Sequence, residues 1–493
     1  MKDLCRAFAL LALGCVCPFT RVSAWGMQGP ERPNILVFFV DDMGWADSSV
    51  YGSDFYETPN LKRLAERATV FRQAYAQPLC SPSRAALQTG KYPARFAMHQ
   101  AITGGSKAEP TVPARPRGSD RVRWPESRSH LPLKETTVAE VVRAAGYDTW
   151  FLGKWHLGAN PKYWPQKQGY QTVICVGGAG PRGGYFGPNE IQALEPRSQE
   201  GEYICERLTE DACDLIRNRS SKPFLMLLSH FNVHSPYEAK AADIERFERK
   251  RASVPRSKHQ NPVMAAMLWS MDQSLGAIMA CLHEEGIREN TWVVFVSDNG
   301  GVHWENMKGD MATRFPMPVT SNAPLRGGKA CFYEGGVRVP FLISPPSGQV
   351  PNAECETPVH VIDLMPTIGE IAGAEVDPDS IDGMSLLPLL RDDADDFPAR
   401  KLYCHFPRRT TLASTVGGSF VRDGNFKLIR HWFAKGDGEH KYELFDLSSD
   451  IGETDNLAEE RPALVQQLSD DLDHWLDDTS ALLPIPVTQA ADH

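Results

Sequence analysis

The 493-residue chain has no surplus of positive charge: 52 Lys and Arg stand against 62 Asp and Glu, a formal net charge of −10 at pH 7. Proteins that bind nucleic acid through general electrostatics carry the opposite balance, so no nucleic-acid partner is expected. An anionic substrate would have to be held by a local basic pocket, against the field of the whole molecule. No apolar run beyond the first residues approaches the ~20 residues that span a bilayer, so no membrane span is expected. Cys-x-x-Cys pairs and the Cys/His spacings of zinc sites are missing too, and there are no internal repeats.

The apolar run that does exist is terminal. Lys2 and Arg6 precede Ala7–Cys17, and Val22-Ser23-Ala24 offers a small-residue cleavage site. This pattern reads as a signal peptide over residues 1–24, with export to a periplasm, the exterior or a lysosome-like lumen. Three of the 11 cysteines (Cys5, Cys15, Cys17) fall inside it. The others could form disulfides in an exported protein, with a connectivity that the sequence does not reveal.

Four apolar runs end in polar residues with chemical potential. Ile35–Val40 leads to Asp41-Asp42, and Tyr147–Leu152 leads to Gly153-Lys154-Trp155-His156. Phe224–Leu228 is followed by Ser229 to His234, and Trp292–Val296 by Ser297-Asp298-Asn299. Continuous apolar runs suit strands buried on both faces of a mostly parallel sheet, and helical patterns over 59–68, 137–145 and 261–285 alternate with them. The expected fold is α/β, a large mostly parallel sheet flanked by helices. Ligands of such sheets bind beyond the carboxyl ends of the strands, so the four ends point to one site. A linker near 392–399 divides a main domain, 25–392, from a small C-terminal one, 393–493. The latter reads as an antiparallel sheet (401–406, 419–421, 426–431) with one amphipathic helix over 462–475.

The stretch CSPSRAALQTG, Cys80 to Gly90, reads as a helix start with Ser81 as N-cap and Pro82 in the first turn. Cys80 would then lie just outside the positive end of the helix, where a thiol is easier to ionise; a merely buried or disulfide-bonded cysteine fits equally well. Asp41, Asp42, Asp298 and Asn299 form a set of hard oxygen donors, which suits Ca²⁺, or else Mg²⁺, better than zinc.

These blocks together resemble the type I, formylglycine-dependent sulfatases, the arylsulfatase and N-acetylgalactosamine-6-sulfatase group of the alkaline phosphatase superfamily. CSPSRAALQTG and GYDTWFLGKWH are similar to the two signatures of that family. PNILVFFVDDMGWAD, VSDNGG, APLRGGKACFYEGGVRVPF and VIDLMPTIGEIAG are similar to further blocks, in the family's order. The resemblance covers about Arg32 to Asn456. It implies an alkaline-phosphatase-like core with a small C-terminal subdomain, and an exported enzyme that hydrolyses sulfate esters. It also implies that a formylglycine-generating enzyme oxidises Cys80, guided by Pro82 and Arg84.

By the same resemblance Asp41, Asp42, Asp298, Asn299 and the modified Cys80 would hold Ca²⁺. Arg84 would steady the formylglycine, Lys154 and Lys329 would bind the sulfuryl oxygens, His156 would take a proton from the aldehyde hydrate, and His234 would protonate the leaving alcohol. The expected substrate is a sulfated sugar or an aryl sulfate. A phosphonate monoester or phosphodiester hydrolase of the same superfamily is the enzymatic alternative, and a sulfated-glycan binding protein without activity is another. Two segments stand apart. Residues 101–133 carry Arg115, Arg117, Arg121, Arg123 and Arg128, a solvated loop or a basic rim. Residues 302–318, with His303, Trp304 and Arg314, could shape substrate choice. No sulfate partner can be assigned in the stretch Val176–Gly180.

Overall fold

The computed structural model describes residues 32–102, 109–111, 122–181, 183–189, 198–254, 258–346, 354–391, 396–408, 417–435 and 438–487. The signal-peptide reading and Arg115, Arg117 and Arg121 lie outside the described residues. The strands are β1 (Asn34–Val40), β2 (Thr69–Tyr75), β3 (Val122–Arg123), β4 (Asp148–Lys154), β5 (Thr172–Gly177), β6 (Phe224–Ser229), β7 (Thr291–Ser297), β8 (Arg338–Ser344), β9 (Glu354–Cys355) and β10 (Val359–His360). The C-terminal part adds β11 (Lys401–Phe406), β12 (Gly418–Asp423), β13 (Phe426–His431), β14 (Lys441–Asp446) and β15 (Ile485–Pro486).

A nine-stranded sheet runs β10-β2-β8-β7-β1-β6-β4-β5, with β9 beside β2. Its pairings are parallel except those of β8, which is antiparallel to both β2 and β7. Every residue of β1, β6 and β7 is buried, as expected for apolar strands covered on both faces. One face is covered by the 23-residue helix Pro262–Glu284, against which the helices 59–65, 204–217 and 241–253 pack. Asn261 caps that helix, its Oδ1 accepting from the N–H groups of Val263 (3.0 Å) and Met264 (3.3 Å). The helix Val138–Ala144 starts on a capping box of Thr137 and Glu140, at the position its sequence predicts.

The C-terminal sheet, β11-β12-β13-β14, is antiparallel throughout, and the helix Pro462–Asp478 packs on β12 and β13. Its apolar face (Leu402, Phe406, Phe420, Ile429, Phe445) joins Tyr75, Ala330, Phe332 and Val337 of the main body in one core.

The strand order places β7, β1, β6 and β4 side by side, so the four polar strand ends emerge along one edge. The ladder continues past the strands: Asp41 N donates to Asn232 O (2.9 Å) and Asp298 N to Val40 O (3.1 Å). Gly153 permits the last step of β4. It has φ +98°, and a Cβ there would stand 2.0 Å from Ser229 O of β6. Gly153→Ala is expected to cost at least about 1–3 kcal/mol, from left-handed strain plus the clash, and to displace Lys154. Urea unfolding checks this; a midpoint unchanged from the parent would refute it.

Candidate active site

Cys80 is the first residue of the helix Cys80–Thr89, not the residue before its cap. Leu79, extended at φ −141° and ψ 155°, takes the N-cap position, which corrects the expectation for Ser81. The Ser81 hydroxyl is committed elsewhere: it donates to His156 O (2.9 Å) and accepts from Ile102 N (3.0 Å). Ser83 Oγ instead accepts from Gln77 N (2.9 Å), fixing the turn ahead of the helix. Burial pushes the Cys80 thiol up despite Lys154 and Lys329, so the site does not favour a thiolate. All eight cysteines from Cys80 to Cys404 are buried and free, so none of the disulfides an exported chain could form is present among the described residues.

Around Cys80 the structure gathers the other residues singled out in the sequence. Ligand atoms of Asp41, Cys80 and Asp298 lie within 4.8 Å of one another. Arg84, on the same helix, donates from Nε (3.1 Å) and Nη2 (2.7 Å) to Asp298 Oδ2. Its Nη1 reaches Lys154 O (2.7 Å) and Ser229 Oγ (2.6 Å), tying the ends of β4 and β6 to the helix. Lys154 Nζ donates to Asp41 Oδ2 (2.5 Å) and Lys329 Nζ to Asp42 Oδ2 (2.6 Å). Asn299 Nδ2 donates to Asp42 Oδ1 (2.8 Å).

The two histidines are set by carbonyl oxygens, which can only accept. Nε2 of His156 donates to Ile102 O (2.9 Å), so its Nδ1 is a bare acceptor 3.3 Å from Cys80 Sγ. Nδ1 of His234 donates to Ser235 O (2.7 Å), and its Nε2 stands 3.7 Å from Asp42 Oδ2. Burial and Lys154 push His156 well down, and burial with Lys329 and Lys154 holds His234 at about 3. Both rings are neutral near pH 7.

A cation fits the oxygen cluster. Asp41 Oδ1 and Asn299 Oδ1 are buried without a hydrogen-bond partner. Burial and the neighbouring Asp41 push the Asp298 carboxyl up to about 7. Crowded carboxylates with orphaned oxygens are what a hard divalent ion relieves.

Several positioning residues carried no signal of their own. Ser229 was legible only as a strand end, and Ile102 and Gly177 act through backbone carbonyls, Gly177 O accepting from Trp155 N (3.1 Å) and His156 N (3.2 Å). Tyr185 Oη donates to Phe231 O (2.5 Å) and lies 2.7 Å from His234 O, bracing the His234 loop. The stretch Val176–Gly180, without an assignable side chain, thus contributes main chain. Of the arginines in 101–133, Arg128 pairs with Glu109 (2.9 Å).

The mostly parallel sheet thus brings a buried cysteine at a helix start, buried cations and an oxygen-rich cluster together at its strand ends. A family model described as Sulfatase matches residues 33–374, and one described as N-sulphoglucosamine sulphohydrolase, C-terminal, matches 328–480. The chain belongs to the sulfatase family and is a sulfuric ester hydrolase. It is similar to a sulfatase of Formosa agariphila (29% identical, covering 94% of this chain and 92% of that one). It is also similar to human arylsulfatase A (30%, covering 88% and 85%). Among solved structures it resembles Ps i-CgsB in complex with k-i-k-neocarrahexaose (25% identical, TM-score 0.73, covering 91% and 94%). Among the described residues no helix is long and apolar enough to cross a membrane.

Proposed function

We propose that this protein is an exported, calcium-dependent sulfatase that removes sulfate from a sulfated sugar, with Cys80 converted to formylglycine by a formylglycine-generating enzyme. The carrying observation is the position of Cys80: buried at a helix start, beside the bare Nδ1 of His156 and within the charge field of Lys154 and Lys329. As a thiol it is poorly ionised there; as an aldehyde hydrate it presents two hydroxyls to the same partners. The oligosaccharide bound by Ps i-CgsB supports a sugar substrate. The division near residue 392 belongs to the same reading, with the C-terminal sheet as a subdomain.

Asp41, Asp42, Asp298, Asn299 and the residue-80 oxygen would hold Ca²⁺. Bound there, it would screen the charge of the sulfate and polarise a hydroxyl of residue 80. Arg84 fixes Asp298 and the strand ends, keeping the cluster in register. Lys154 and Lys329 bind the sulfuryl oxygens and neutralise charge as it redistributes. As a hydroxyl of residue 80 bonds to sulfur and loses its proton, the bond from sulfur to the alcohol oxygen breaks. The arriving sulfate offsets the two lysines and raises the proton affinity of His234, whose Nε2 takes up one proton in exchange and passes it to the leaving alcohol oxygen. His156 Nδ1 takes a proton from the remaining hydroxyl of residue 80, which lets sulfate depart and the carbonyl return.

The test is release of sulfate and phosphate by protein co-produced with the generating enzyme and checked for aldehyde. Substrates are sulfated mono- and oligosaccharides, an aryl sulfate and a phosphodiester. A sulfated sugar is expected to be preferred over the phosphodiester by about a hundredfold or more in kcat/KM. The reverse preference would move the protein to the phosphodiesterase class.

A further inference from the structure

Beside the Lys329 loop lies a cavity of about 480 Å³, within the roughly 300–1,000 Å³ span of small-ligand pockets. Lys258, Gln260, His303, Ser321 and Asn322 give it polar walls, and among the described residues no Asp or Glu lines it, in a chain where acidic residues outnumber basic ones. Asp47 lies fully buried nearby, but it is already committed. It accepts from Thr320 Oγ1 (2.5 Å) and Gly44 N (2.8 Å) and stands 3.7 Å from His259 Nε2.

Lys258 and His303 are not engaged elsewhere among the described residues; burial lowers the proton affinity of His303, so it would meet an anion as a neutral N–H donor beside the Lys258 cation. Lys258 is exposed and has no ion pair among the described residues. His303 keeps Nδ1 buried without a partner, and its ring meets Trp304 edge-on at 5.3 Å. Arg314, in the same 302–318 segment, is by contrast engaged by Glu248.

The cavity wall and the sulfate-binding lysine share one hydrogen-bonded loop. Asn322 Oδ1 accepts from Gly301 N (3.0 Å), and its Nδ2 donates to the carbonyls of Gly301 (3.0 Å) and Gly327 (3.0 Å). Gly301 O also accepts from Lys329 N (3.0 Å). The cavity lining thus reaches Gly327, two residues before Lys329 in the same loop.

We propose that the cavity binds a second anionic group, a sulfate or carboxylate, of the glycan whose sulfate ester is cleaved, with Lys258 and His303 as its specificity-determining residues. The proposal rests on the sulfate-ester reading of the Cys80 site. It makes the substrate a multiply charged glycan, in which one charge is cleaved and another sets the register.

The test compares the parent with the double variant Lys258→Gln/His303→Gln on a disulfated disaccharide, its monosulfated counterpart and an aryl sulfate. KM for the disulfated sugar is expected to rise about tenfold with kcat within twofold, the scale of a lost charge-assisted contact. The monosulfated sugar and the aryl sulfate should move less than twofold. Equal losses on all three substrates, or no loss on any, overturn the proposal. The same sugars titrated calorimetrically into Cys80→Ala protein, with and without the two cavity substitutions, give a readout that needs no turnover. Selective weakening for the disulfated sugar there supports the cavity even if no ester is hydrolysed, an outcome that would sink only the sulfatase reading. Turnover of the sugars with no selectivity at the cavity would sink only this inference.

Discussion

Cys80→Ser should release about one equivalent of alcohol per enzyme and then stop. Serine at the first position of the helix Cys80–Thr89 keeps an oxygen where Sγ now sits, 3.3 Å from Nδ1 of His156. In the proposed mechanism, attack on sulfur, charge neutralisation by Lys154 and Lys329, and protonation of the leaving group by His234 require only that one hydroxyl. The second half of the cycle does need more. A serine sulfate has no second hydroxyl on the same carbon, so His156 finds no proton to remove and the C–O bond has no electron push to break it. Water would have to attack a sulfur already surrounded by negative oxygens, in a buried site shaped for another nucleophile. Steady-state turnover should fall by about 10⁴ or more, the upper range for losing a general-base step. Rapid quench would show a burst near one equivalent, and intact mass a gain of one sulfuryl group on the peptide containing residue 80. Cys80→Ala should show neither. Sustained turnover by the serine variant at the parent's rate would remove the need for an aldehyde hydrate.

The site was legible where it depended on strand ends. Strands buried on both faces leave little choice of residue inside, so the polar residues just beyond β1, β4, β6 and β7 stand out in the sequence and converge once the strands are neighbours. The start of the Cys80 helix was misjudged by two residues because Ser81 has the right chemistry for a cap but is held by Ile102 and His156, contacts that no local pattern reveals. Ile102 and Gly177 position His156 through their carbonyl groups, and a carbonyl has no letter in the sequence; Tyr185 braces the His234 loop with a hydroxyl 49 residues away in the chain. The antiparallel strand β8 was hidden for a different reason: its apolar residues read like those of its parallel neighbours, and only the pairing with β2 and β7 gives its direction.

The largest expected effect on stability lies away from the chemistry, at Lys427. It is fully buried on β13, with Nζ 2.9 Å from Glu334 Oε1 and 2.9 Å from Glu453 Oε1. Glu334 also accepts from Tyr75 Oη (2.7 Å), and its own N–H donates to Glu453 Oε2 (2.7 Å). One cation of the C-terminal sheet thus serves two carboxylates of the surrounding loops. Burial raises the Glu334 carboxyl, but Lys427, Arg338 and Arg422 outweigh it and hold the group at about 2, whereas burial pushes Glu453 up to about 7.

Lys427→Met strips Glu453 of its cation and leaves Glu334 with Arg338 at 3.5 Å, and should cost about 3–5 kcal/mol. The pH dependence follows from the direction of the shifts. In the parent, the contribution of Glu334 is present above its unfolded value near 4.5 and is lost as pH falls toward 2. Without Lys427, Glu334 keeps only Arg338 and Arg422 against burial and its contribution shrinks, while Glu453 is raised further, and a raised group's contribution is full below 4.5 and lost as pH rises. The deficit of the variant should therefore be larger at pH 8 than at pH 5. Adding Glu334→Gln removes one of the two carboxylate charges, so the double variant should recover part of the loss. Urea unfolding of the three proteins at both pH values decides it. A Lys427→Met protein within about 0.5 kcal/mol of the parent at pH 8 would show that water or rearrangement satisfies the carboxylates. Because Ala330 and Phe332, beside Lys329, pack against the same sheet, loosening it should also lower sulfate release before global unfolding.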